Sequence, residues 1–95
     1  MLRFVAVHPV AFPEAQLQEL ANEPMPEGVT WDSTYNASAD GRSFCHWKAP
    51  SKDAIIAIFT KYEIPYEAIH VVRRFDPATG VMEPEGAEEK IAAPA

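Results

Sequence analysis

An α+β sandwich is the fold this chain predicts, and three observations carry it. Its apolar segments read, in order, strand, helix, strand, strand, helix, strand; an Asp40-Gly41 turn joins the two middle strands; and 95 residues suffice for one hydrophobic core only. That order is the split βαβ pattern of the ferredoxin-like sandwich. Right-handed crossovers then place its four strands in one antiparallel sheet in the order 4-1-3-2. Residues 1–76 form the predicted domain, and residues 77–95 a C-terminal tail.

Each element has its own local signal. Residues 2–9, LRFVAVHP, are rich in β-branched and aromatic side chains, contain no acid and close on a proline, as a largely buried strand does. Pro13 suits a first helical position, and Leu17, Leu20 and Ala21 follow at helical spacing up to a stop before Pro24. EPMPEG, residues 23–28, is a loop. Val29, Trp31, Ser33 and Tyr35 then alternate with Thr30, Asp32, Thr34 and Asn36, the period of a half-buried strand with Trp31 and Tyr35 on its core side. After the Asp-Gly turn, RSFCHWKA, residues 42–49, returns antiparallel to it. Ser51 is the expected N-cap of a second helix whose stripe is Ile55, Ile58, Phe59 and Tyr62. AIHVVRRF, residues 68–75, is the last strand, stopped by Asp76-Pro77. The tail beyond has four acids, one base and three prolines, a composition expected to be disordered or to pack on a partner subunit.

A formal charge of −6 argues against a sequence-independent grip on nucleic acid or anionic lipid, which would need Lys and Arg facing phosphates. A single cysteine forms no intrachain disulfide, and no CxxC pair is present, which points to a reducing compartment. The apolar N-terminal run is too short to span a bilayer, for which roughly 20 residues are needed, so no membrane association is expected and the cytoplasm is the expected location. Two helices cover only one face of a four-stranded sheet. The other face would still carry apolar side chains, because Val5 and Val7 point opposite to Phe4 and Ala6, and a face-to-face homodimer is the economical way to cover it.

Residues 28–77 also resemble a bacterial family of small ferredoxin-like proteins of unknown function that includes a nickel-binding protein from streptomycetes. The likeness rests on Gly28-Val29 with Trp31 two positions on, Thr34-Tyr35, Phe44-Cys45, Ala49-Pro50 and Ile64-Pro65. Thr34 stands where serine is expected, and Asp32 and Asn36 where apolar residues are common. The resemblance implies the fold, a dimer, and nickel or another divalent transition metal as the cofactor, without assigning ligands to numbered positions.

His8, His46 and His70, one on each of three strands, are the candidate metal ligands. Strand four runs antiparallel to strand one, so His8 is expected to approach His70, whereas His46 is several residues further along its own strand, on the order of 10 Å from His8. Within one subunit the three do not share an ion, and a dimer mate would supply the missing donors. The alternative is that all three are hydrogen-bonded packing residues. Cys45 and His46 are neighbours on a strand and point to opposite faces, so they do not chelate together; Cys45 reads first as a small buried hydrophobe. Trp31, Tyr35, Cys45, Trp47 and Arg73 are candidates for lining a small-molecule pocket. Arg73 reads equally as a surface charge, and the aromatics as core. Three functions follow: a small homodimeric metal-binding protein for nickel handling; an enzyme of the dimeric α+β-barrel type acting on an apolar small molecule; or a ligand-binding module without chemistry.

Overall fold

The computed structural model describes residues 2–84. Its elements are β1 (Leu2–His8), α1 (Glu14–Ala21), β2 (Thr30–Ala37), a 3₁₀ turn (Ser38–Asp40), β3 (Arg42–Ala49), α2 (Lys52–Lys61), β4 (Ala68–Val72), β5 (Phe75–Asp76) and β6 (Val81–Met82). One four-stranded sheet has the order β2-β3-β1-β4, the reverse listing of 4-1-3-2, and every pairing in it is antiparallel. Among the described residues no helix is long and apolar enough to cross a membrane.

The two central strands hold their faces by strict alternation. Leu2, Phe4, Ala6 and His8 of β1 and Ser43, Cys45, Trp47 and Ala49 of β3 are all buried on the helix side. Ile55, Ile58 and Phe59 of α2 press onto this layer, with the Phe59 ring edge-on to Trp47 at 5.7 Å. α2 starts as expected: the Ser51 hydroxyl accepts from the Ala54 N–H at 3.3 Å, a cap of about 1 kcal/mol. It ends on Glu63 in the left-handed region (φ 54°), and the Ile64 N–H then donates back to the Phe59 carbonyl at 2.8 Å.

α1 is different. None of its eight residues is buried, and its stripe of Leu17 and Leu20 is only half-covered. The chain just ahead of it is pinned instead: the Asn36 amide donates to the Phe12 carbonyl (2.8 Å) and accepts from the Phe12 N–H (3.2 Å). An apolar residue at position 36 could do neither.

Two expectations shift. Alternation put Trp31 and Tyr35 on one face of β2, yet a bulge between Trp31 and Ser33 moves the strand by one residue there. Trp31 therefore opposes Trp47 on the helix side, while Ser33 and Tyr35 oppose His46 and Phe44 on the other side, where Tyr35 is 63% exposed. The extra residue, Asp32, carries its carboxylate to the Arg3 guanidinium at 3.1 Å. The last strand also stops earlier than its composition suggests, at Val72, and Phe75-Asp76 pairs with Val81-Met82 in a separate hairpin. Asp76 Oδ1 accepts from the Ala78 N–H and Gly80 takes φ 71°, so residues 77–84 are built into a turn and a short strand. Glu83 closes it onto the sheet through Arg3. The rest of the expected tail, 85–95, lies outside the described residues.

Candidate functional site

Two surfaces bring candidate residues together, one on each side of the sheet. On the side away from the helices, the register sets His46 of β3 and His70 of β4 opposite Val5 of β1, one on either flank. Cross-strand partners share a face, so the two imidazoles stand in one row with Val5 between them, two strand spacings or roughly 10 Å apart at the backbone. His46 is half-buried and lies edge-on to the Tyr35 ring at 5.2 Å; His70 is exposed. Around this row lie Val7, Phe44, Ala68 and Val72, all half-covered, with Lys48 and Arg3 at one end.

His8 does not join them. It pairs with Ser43 at the other end of β1 rather than nearing His70, because β4 runs opposite only to residues 3–7 of β1. Its side chain points to the helix side, fully buried. There its Nδ1 is 2.7 Å from the Pro65 carbonyl oxygen, which only accepts, so Nδ1 carries the proton and donates. Burial pushes the His8 imidazole below its ordinary value, opposed by that hydrogen bond. The ring is therefore neutral with a lone pair on Nε2, which has no partner. Phe12 and Phe59 enclose it edge-on at 5.1 and 5.0 Å. Among the described residues, no three His, Cys, Asp or Glu side chains converge into a group able to hold a metal ion.

The second surface is a cavity of about 510 Å³ beneath α1. Of the pocket candidates, Trp31, Cys45 and Trp47 line it, joined by His8, Phe12 and Phe59. Tyr35 and Arg73 do not. Tyr35 is turned to the open face by the bulge, and the Arg73 guanidinium reaches the Glu83 carbonyl at 3.3 Å. Trp31 stacks on Trp47 at 5.8 Å and donates from its indole to Thr34 Oγ1 at 2.8 Å, which in turn is 3.1 Å from the Cys45 sulfur. Burial pushes the Cys45 thiol up, away from the thiolate a nucleophile needs. Cys45 is thus a packing residue of the wall. Two features of this cavity had no sequence signal, the open space under a helix that packs loosely and the unpartnered nitrogen of Trp47.

Comparison with known proteins follows the same region. Residues 7–72 match a family model described as the nickel responsive protein SCO4226-like, a stretch that takes in the end of β1, β2 to β4, both helices and both histidines of the open face. No curated protein and no solved structure matches the chain.

Proposed function

We propose a nickel-handling role for this chain, which belongs to the SCO4226-like family of nickel-responsive proteins, with His46 and His70 as its metal ligands in a homodimer. The observation that supports the reading is the shared row of the two imidazoles across Val5. Imidazole nitrogen suits nickel(II), which favours tetragonal arrangements of nitrogen and oxygen donors. One chain offers two imidazoles on this face, too few to enclose an ion. A two-fold partner laid on the same face presents the same two again, so that four nitrogens become available at the interface. The edge-on Tyr35 ring restricts how His46 turns, as the outer groups of a metal site do. A cytoplasmic setting belongs to the same reading, since the single cysteine is buried and free.

Native mass spectrometry during a nickel titration tests it, reporting subunit number and bound metal together. His46→Ala and His70→Ala are each expected to weaken nickel binding at least tenfold, and His8→Leu to leave it unchanged. Wild-type stoichiometry and affinity in both open-face variants would remove the ligand assignment.

A further inference from the structure

The cavity beneath α1 lies on the opposite side of the sheet from the histidine row, and its wall is incomplete in a specific way. Two polar atoms of its lining side chains, His8 Nε2 and Trp47 Nε1, are closed to solvent and have no hydrogen-bond partner. Both residues are 0% exposed. A buried polar atom left unmatched costs about 1–3 kcal/mol, and native structures keep few of them. The two are complementary: the indole N–H of Trp47 only donates, and Nε2 of a His8 ring protonated at Nδ1 only accepts.

The remaining lining decides which molecules fit. Phe12, Phe59, Trp31 and Trp47 present aromatic surface. Glu19 and Glu23 are the charged groups of the lining, and among the described residues it contains no Lys or Arg. A carboxylate or phosphate would enter against two like charges and find no cation inside. The volume suits a one- or two-ring molecule. α1, with no buried residue, is the wall that yields at least cost when a ligand presses toward the two nitrogens.

We propose that this cavity is a binding site for a neutral, planar aromatic molecule carrying a hydroxyl or N–H group that donates to His8 Nε2 and an oxygen or nitrogen that accepts from Trp47 Nε1. The site is independent of the metal reading, because its residues lie on the other face and no metal takes part in the test.

The full chain, labelled with nitrogen-15 and free of metal, is titrated with three probes of one outline: 6-hydroxyquinoline, whose hydroxyl donates and whose ring nitrogen accepts, 6-methoxyquinoline and quinoline-6-carboxylate. Calorimetry gives affinity and stoichiometry, and the indole N–H resonance of Trp47 reports position. Hydroxyquinoline is expected to bind once per chain and to shift that resonance. The methyl ether, which has lost the donor, should bind about tenfold more weakly, and the carboxylate anion at least tenfold more weakly again. Leu17→Trp, which fills the space from a half-covered helix position, should abolish hydroxyquinoline binding. Trp47→Phe should weaken it about tenfold. If Trp47→Phe does not fold, Leu17→Trp still decides, since it alters no buried residue. Absence of saturable hydroxyquinoline binding, the carboxylate binding as tightly as hydroxyquinoline, or undiminished binding in Leu17→Trp would each overturn the proposal.

Discussion

His8 shows how far one side chain's role depends on partners that are distant in sequence. Its position on a strand made it a candidate ligand, but its neutral ring donates to Pro65 and sits between two phenylalanines. The consequence is a pH dependence with a definite sign. The folded-state value is depressed by burial, so in acid the unfolded chain takes up a proton that the folded chain refuses. The stabilisation is fully present above the unfolded value of about 6.5 and is lost as the pH falls below it, at up to about 1.4 kcal/mol per unit. Urea unfolding at pH 7.5 and pH 5.5 should therefore show a lower midpoint in acid, and His8→Leu should reduce that difference. An equal drop in the variant would assign the acid sensitivity to other groups. Cys45, by contrast, was legible from its own position: alternation alone separated it from His46 and turned it inward.

At the scale of elements, the parts that could be read from sequence were those whose signals are local. The β3 boundaries at Arg42 and Ala49, the Ser51 cap and the α2 stripe each depend on residues within a few positions of one another. The bulge at Asp32 was not legible, because the partner that draws Asp32 out of the alternation is Arg3, on a different strand. That same arginine also holds the β5–β6 hairpin. Its Nε and Nη2 donate to the two Glu83 carboxylate oxygens at 2.8 Å each, and the Arg74 N–H donates to one of them as well. The hydrogen bonds from Arg3, aided by Arg74, hold the Glu83 carboxyl down at about 2. A carboxylate depressed in the folded state stabilises docking above its ordinary value near 4.5 and loses that contribution as the pH falls toward 2. Acidification from pH 5 to pH 2.5 is expected to release the hairpin, seen as loss of amide protection at Val81 and Met82 before the sheet opens. Arg3→Ala should produce the same loss at pH 7. Protection that persists in Arg3→Ala would mean that the β5–β6 ladder holds without the ion pair.

For the molecule as a whole, the question is whether the open face is large enough to be an interface. Four strands at their usual spacing and rise cover roughly 450 Å², which is within the range of apolar patches that monomers tolerate. A stable pair buries about 800 Å² per partner, so the sheet alone falls short. Beyond it the β5–β6 hairpin, tied to Arg3 through Glu83, adds exposed apolar side chains on both of its own faces, with Phe75 and Met82 on one, 51% and 44% exposed, and Val81 on the other, 60% exposed. A dimer through this face thus requires both parts, and it makes Arg3 and Glu83 a hinge between them. Placing a carboxylate in either part buries an unpaired charge on association, which costs several kcal/mol and so several powers of ten in affinity. Sedimentation of the wild type at micromolar concentration is expected to give a dimer. Val7→Asp in the sheet and Val81→Asp in the hairpin should each give folded monomers that also lose tight nickel binding, because the four-imidazole arrangement goes with the pair. If Val7→Asp dissociates the pair and Val81→Asp does not, the interface is confined to the sheet. A wild type that sediments as a monomer with its nickel bound would overturn the shared-site reading, because the two imidazoles of one chain are too few to enclose the ion.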